Sequence, residues 1–460
     1  MDKGAWHNER DDRTNHSESI KELDNYHLGI IVDPRIVESF EIQCMTLLAC
    51  NILARWCRKI TIDMQNCQNI IHHTQSDLKM EIKQLMSEID PYGEFSFEHI
   101  PQDVDDILAI GNGVKSDKPF TWINSDGWIS GCGFGNRAGE IHYSGSNNPI
   151  GPSFAACFGV AQVFKKAIKK ESDSFEKWYS LYDYSNGASS VGLQNPDFCN
   201  DFDFGTIYQI GCGAVGSSLD YLISLTNWKG RFFLIDPDII TYSNCNRSLP
   251  FSAHDATHSK DKVVVCNNVI ASNGREAFPI KKSYSQFSGT REFSKYPPDL
   301  ILCLANAENV WSTIQNNFPP LVLHATTTKN WGTNFGRHIP KKEWCIMCRF
   351  GEHIKDNFIP RCEEGVIRTK NQEEVLGVLP FLSPASAVIM FAEMAKLASN
   401  IKSKGNFINM SIEPPFGHLE LTYSAKNDCI CNTQPLEIFS KFRENTKFWK
   451  LANNDHIGIQ

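Results

Sequence analysis

The chain has 460 residues, 41% hydrophobic and 21% charged, which excludes a mostly disordered protein. With 45 Lys and Arg against 53 Asp and Glu the net charge is -8, so a broad electrostatic footprint for nucleic acid is disfavoured. No apolar run spans a membrane, because Asn51 and Arg55 break the best one, Met45 to Cys57, and Met1 to Asp24 lacks the apolar core of an export signal. The cytoplasm is the expected compartment, where the 16 cysteines stay reduced and paired ones are read first as metal ligands or reactive groups.

The first 25 residues read as a solvated, disordered tail. Glu38 to Cys57 repeats apolar residues at helical spacing, and Lys59-Ile-Thr-Ile-Asp63 reads as a short strand. An amphipathic helix over Ser76 to Ile89 is followed by strands at Ile107 to Ile110 and Phe120 to Ile123. Glycine-rich turns are expected between Gly127 and Gly145, then a helix over Gly151 to Ile168. Residues 26–170 are thus expected to form one α/β domain, and 171–203, rich in Ser, Asp, Asn, Tyr and Gly, a linker. Beyond it, strands at Thr206 to Ile210, Arg231 to Ile235, Leu300 to Leu304 and Leu321 to Ala325 alternate with helices at Ala214 to Leu225, Asp261 to Ala271 and Val310 to Asn317. That alternation predicts a mostly parallel sheet with right-handed crossovers over residues 204–435, with 436–460 as a tail. Gly151-Pro152 and Ser383-Pro384 each open a small-residue helix near the end of a half, an echo that hints at two related α/β halves.

Gly211-Cys-Gly213-Ala-Val-Gly216 fits the G-x-G-x-x-G pattern between a strand and a helix. Gly211 permits the tight turn, Gly213 lets backbone amides approach phosphate, and Gly216 allows the helix to pack on the sheet. Asp236 ends the next strand, where a carboxylate accepts from ribose hydroxyls. The turn alone does not separate NAD from ATP. The residues beyond that strand do: Asp236-Pro-Asp238 leads into Ser243-Asn244-Cys-Asn246-Arg247, and Ser259-Lys260-Asp261-Lys262 opens the next helix. Hydride transfer has no use for grouped Asn, Arg and Lys, whereas a reaction at phosphorus develops charge that they neutralise.

The run "LIDPDIITYSNCNRS" resembles the ATP-site signature D-x-D-x-x-x-x-S-N-L-N-R-Q of the ThiF/MoeB/ubiquitin-activating-enzyme superfamily, over roughly Gly205 to Cys431. The resemblance implies a Rossmann-like adenylation domain that uses ATP and Mg2+. Asp236 would hold the ribose, Asp238 would belong to the cofactor site, and Asn244, Arg247 and Lys262 would contact the triphosphate. The interval from Arg247 to Lys262 is two residues longer than in the family, which makes Lys260 a rival. Where the family carries a magnesium-linked Asp, this chain reads Cys303-Leu-Ala-Asn306-Ala-Glu308-Asn309, leaving Asn306 and Glu308 as candidates. The text "HATTTKNWGTNFGRHIPKKEWCIMCRF" looks closest to bacterial ubiquitin-activating-like enzymes of antiphage conjugation operons. In those an inactive adenylation domain precedes the active one, a role that residues 26–170 fit because they lack a glycine loop.

Cys345-Ile-Met-Cys348 and Cys429-Ile-Cys431 supply four thiolates, the set that closes a tetrahedral structural Zn2+ site, although the second pair departs from the family's C-x-x-C. Buried free thiols are the bland alternative. His324 and His338 read as packed residues rather than catalysts. Cys362, in "NFIPRCEEGVI", resembles the crossover-loop cysteine that receives the activated acyl group, with Cys303 and Cys199 next in line. The implied function is activation of the C-terminal glycine of a ubiquitin-like protein as adenylate and then thioester, for transfer to a ubiquitin-conjugating-type enzyme. A sulfur-carrier or peptide adenylyltransferase without the thioester step is the alternative, and a scaffold without turnover stays open because the magnesium-linked Asp is missing. Neither nucleic acid nor membrane is an expected partner, and a two-domain monomer and a homodimer are both compatible.

Overall fold

The computed structural model describes residues 1–14, 22–71, 75–169, 174–305, 308–328, 331–339, 342–350, 366–368, 374–376, 379–413, 416–434 and 447–448. The chain divides into two compact units. The first comprises Met1–Phe198, Thr241–His258 and Glu364–Val388, the second Cys199–Ile240, Ser259–Glu363 and Ile389–Gln460.

Unit 1 carries strands β1 (His27–Val32), β2 (Lys59–Asp63), β3 (Glu94–Ser96), β4 (Asp106–Ile110), β5 (Lys115–Asp126), β6 (Ile129–Arg137), β7 (Phe175–Ser180) and β8 (Asn186–Gly187). They form one sheet in the order β3-β2-β1-β4-β5-β6-β7-β8. Pairing is parallel from β3 to β5 and antiparallel from β5 to β8. Unit 2 repeats the plan with β9 (Asp203–Ile210), β10 (Lys229–Ile235), β11 (Glu276–Ile280), β12 (Leu300–Cys303), β13 (Val322–Thr328) and β14 (Gly332–His338). A separate pair, β15 (Val366–Arg368) and β16 (Glu374–Leu376), precedes β17 (Phe407–Ser411) and β18 (Gly417–Leu421) in the chain. The second sheet runs β11-β10-β9-β12-β13-β14-β17-β18, again parallel in its first five strands and antiparallel in its last three. The protein is therefore α/β with two mostly parallel sheets of one strand order, as the echo between the halves suggests. In each, the order reverses between the first strand and its outward neighbour (β1/β4, β9/β12), the switch point where open α/β sheets hold ligands.

The helices follow from local signals. Ser39 caps the helix Phe40–Leu53, which is apolar nearly all round and almost wholly buried. Asp77 caps Leu78–Ile89, whose buried stripe is Leu78, Ile82, Met86 and Ile89. In unit 2 the core on one sheet face joins Tyr208, Ile210, Phe233, Ile301 and Cys303 to Tyr284, Phe287, Trp311 and Ile314 of the flanking helices.

Three expectations are corrected. The N-terminal tail begins with a helix, Lys3–Arg10, capped by Asp2 and with Trp6, His7 and Arg10 buried. What fixes it lies far along the chain: Arg10 Nη1 and His7 Nε2 both reach Asp90, at 2.7 and 2.9 Å. The glycine-rich stretch after Gly127 is a strand, β6, because its glycines make room for tryptophans. A Cβ on Gly131 would lie 2.4 Å from the Trp178 ring, and one on Gly133 would lie 2.5 Å from Trp122. Within the stretch read as a linker, β7 and β8 extend the first sheet, with Trp178 and Tyr179 buried. Among the described residues no helix is long and apolar enough to cross a membrane.

Candidate nucleotide site and metal centre

The turn after β9 gives its three glycines three different jobs. Gly211 has φ +102°, and a Cβ there would lie 2.8 Å from the carbonyl carbon of Leu304 at the end of β12. A Cβ on Gly216 would fall 2.1 Å from Gly211 O, so only glycine lets the helix start this close to the turn. Around Gly213 there is open space, and it caps the helix Ala214–Ser224 without a side-chain hydrogen bond. The first turn of this helix therefore has no side-chain cap, an arrangement that suits an anion.

Asp236 closes the turn from the other side. Its Oδ2 accepts from Cys212 N at 2.8 Å and its Oδ1 from Asp238 N at 2.9 Å. Burial pushes its carboxyl above the usual range, against the pull of Lys262 and the two amides. Lys262, the first residue of the helix Lys262–Ala271, is buried, and its Nζ donates to Asp238 Oδ2 at 2.8 Å. Lys260, the rival, is half-buried, and its carbonyl accepts from Ile240 N at 2.7 Å. The structure thus brings Gly211, Gly213, Gly216, Asp236, Asp238 and Lys262 together in unit 2.

Asn244 and Arg247 belong to the segment Thr241–His258, which packs within unit 1. Asn244 ends a short 3-10 turn, and its Oδ1 accepts from Thr241 N at 3.0 Å in a capping box. Asn246 anchors the segment to the N-terminal region through Asp11 Oδ1 at 3.2 Å and Thr14 Oγ1 at 2.9 Å. Arg55, wholly buried just past the helix Phe40–Leu53, donates to Leu249 O and Cys245 O, both at 2.5 Å. Arg247 is buried with its Nη1 on Ser243 O at 2.6 Å. Burial, with Arg13 nearby, pushes its pKa down to about 9.

Asn306 and the proposed transfer residue Cys362 lie outside the described residues; Glu308 begins the helix Glu308–Asn316, and its side chain is likewise outside. Of the next thiols, Cys303 is buried and pushed up to about 12 by that burial, which suits a core residue rather than a nucleophile, while Cys199 is half-buried on Asp201 O. His324 and His338 are buried with ring centres 5.6 Å apart.

The four predicted metal ligands do converge. Cys345, Cys348, Cys429 and Cys431 hold their sulfurs within 4.8 Å of one another. The contacts are 3.7 Å for Cys345–Cys348, 3.4 Å for Cys345–Cys429 and 3.6 Å for Cys348–Cys431. A tetrahedral metal with bonds of about 2.3 Å spaces its sulfurs about 3.8 Å apart, so the set fits such a centre. The amides of Cys348 and Lys426 point at Cys345 Sγ and Cys348 Sγ, each at 3.4 Å, as donors to thiolate. The C-x-C spacing works because Cys429 is the cap of the helix Ile430–Thr433 and Cys431 sits in its first turn.

Residues 27–181 match a family model described as the BilD N-terminal domain. An uncharacterized protein of Sinorhizobium fredii, y4jF, is 28% identical over 167 residues, which covers 35% of this chain and 31% of that protein. The chain thus spans about a third of the curated relative it matches. Among solved structures, Escherichia coli MccB with succinimide shows 15% identity and a TM-score of 0.38, covering 50% of this chain and 66% of its own. MccB with ATP shows 15% identity and a TM-score of 0.37, covering 50% of this chain and 67% of its own.

Proposed function

We propose that this chain uses ATP to activate the C-terminal glycine of a ubiquitin-like protein, first as an acyl-adenylate and then as a thioester on Cys362. The observation that supports it most is the turn at the β9/β12 switch point: open at Gly213, tied to a ribose-type carboxylate at Asp236, and faced by the ammonium of Lys262. In the first step the glycine carboxylate attacks the α-phosphorus and pyrophosphate departs. In the second, the Cys362 thiolate attacks the acyl carbon and AMP leaves, and a thiol of a conjugating-type enzyme then takes the acyl group by exchange. Lys262 contributes charge that neutralises the departing phosphates, and the first-turn amides of the helix Ala214–Ser224, uncapped by any side chain, do the same. For Asn244 and Arg247 the role stays the phosphate contact that the resemblance implies, with Lys260 as the reserve for Lys262. Asn306 and Glu308 are the candidates for the magnesium that ATP brings. Zn2+ in the Cys345, Cys348, Cys429 and Cys431 centre would be structural, since four thiolates leave no open position. Unit 1 is read as the inactive adenylation-like partner domain.

The test is ATP–pyrophosphate exchange with small proteins ending in glycine. Wild-type protein is expected to exchange, and Lys262→Ala or Arg247→Ala to lose on the order of 10²–10³ in rate. Exchange at the wild-type rate in both variants contradicts the site. Cys362→Ala should keep exchange yet form no thiol-sensitive adduct on a non-reducing gel.

A further inference from the structure

We infer that Asp238 is a positioning residue that holds Lys262 over the mouth of the turn and keeps it from collapsing onto Asp236; the inference rests on the nucleotide reading of that turn. Asp236 and Asp238 leave β10 two residues apart and share one lysine. Asp238 grips residue 262 twice, by its carboxylate on Nζ at 2.8 Å and by its carbonyl on the backbone N at 3.1 Å. Lys262 also lies near enough to Asp236 to draw its carboxyl down, while Asp238 pushes it up. Both oxygens of Asp236 are nonetheless engaged elsewhere, one on Cys212 N in the glycine turn and one on Asp238 N.

Burial decides which partner moves. The Lys262 side chain is 11% exposed and that of Asp238 is 63% exposed, so the ammonium is held in the protein while its carboxylate stands in solvent. An arriving phosphate oxygen can then replace Asp238 in a one-for-one exchange, with no buried charge left unpaired. Without the Asp238 charge, the carboxylate left beside Lys262 is Asp236. An ammonium drawn to it competes with Cys212 N for Oδ2, which loosens the turn and occupies the ribose acceptor. The cost falls on nucleotide binding rather than on the chemical step.

The test compares wild type, Asp238→Asn and Asp238→Glu in ATP–pyrophosphate exchange, with binding of a fluorescent ATP analogue monitored against pH. Asp238→Asn is expected to raise KM for ATP by about tenfold, with kcat changed far less, and Asp238→Glu to recover most of the loss. The acid limb of analogue binding should move to lower pH in Asp238→Asn, because removing the neighbouring charge lowers the Asp236 carboxyl. A role in folding alone would lower the melting temperature without moving that limb. If Asp238→Asn keeps both KM and the limb while Lys262→Ala abolishes exchange, the inference fails and the nucleotide reading stands. If wild-type protein neither binds the analogue nor exchanges, the nucleotide reading falls and takes the inference with it.

Discussion

The two sheets share one strand order but treat their switch points in opposite ways. In unit 2 the chain leaves β9 through glycines, the next helix starts uncapped by any side chain, and Asp236 reaches across to the Cys212 amide. In unit 1 the chain leaves β1 through Asp33-Pro34-Arg35, and the corresponding space is filled. The buried Asp33 carboxylate accepts from Gly113 N at 2.6 Å, from Arg35 Nε at 3.0 Å and from Arg35 Nη2 at 2.8 Å. A Cβ on Gly111 would lie 2.8 Å from Asp33 Cβ, so the loop after β4 presses directly on this ion pair. Ser39 then caps the next helix through Ile42 N at 3.3 Å. Strand order makes a crevice available; the residues at the helix start decide whether it stays open to an anion or is closed by the chain's own carboxylate.

The comparison breaks most visibly at Gly216. Gly216→Val places carbon where the Gly211 carbonyl stands, 2.1 Å from a Cβ. It is expected to abolish nucleotide binding and to lower the melting temperature, both checked on one sample by calorimetry with and without ATP. Next in size is the metal centre. Cys345→Ser should drop bound zinc from about one per chain toward none and lower the melting temperature more than it lowers exchange measured well below it. An unchanged metal content, read by mass spectrometry of the metal, would remove the centre.

A smaller effect sharpens the contrast through pH. Burial raises Asp33, but hydrogen bonds from Arg35 and Gly113 outweigh it and hold the carboxyl below its usual value. The stability it contributes is therefore present at neutral pH and lost as pH falls through its folded pKa. Asp220 in unit 2 is the reverse: wholly buried beneath the turn and bonded to Gln209 Nε2 at 3.0 Å, it is pushed up to about 7 by burial. Between its ordinary value of about 4 and its folded value the unfolded chain sheds the proton first, so stability falls as pH rises across that window. Asp220→Asn should remove that slope and stabilise the protein at pH 8, while Asp33→Asn should destabilise it there by about 1–3 kcal/mol. Denaturant titrations at pH 5 and 8 check both signs.

Short spacing is what the sequence makes legible. The glycine turn and each cysteine pair fall within a few residues, and Asp236 ends the very next strand; the fold brings Asp236 onto the turn and the four thiols together. The missed features depend on distant partners. The helix Lys3–Arg10 is fixed by Asp90, and β6 looks like a run of turns until Trp122 and Trp178 explain its glycines. The short β11 at the sheet edge, with its half-exposed pattern and Pro279, carries no period-2 signal. The signature segment was legible as motif but not as packing, since Arg55 and Asn246 tie it to elements that only the fold brings near.

The most direct measurement of the contrast between the two switch points is the stoichiometry of nucleotide binding, by equilibrium titration of the full chain with a non-hydrolysable ATP analogue. The account predicts one nucleotide per chain, lost in Gly216→Val and retained in Asp33→Asn. Two nucleotides per chain, or one that disappears with Asp33→Asn and survives Gly216→Val, would contradict it.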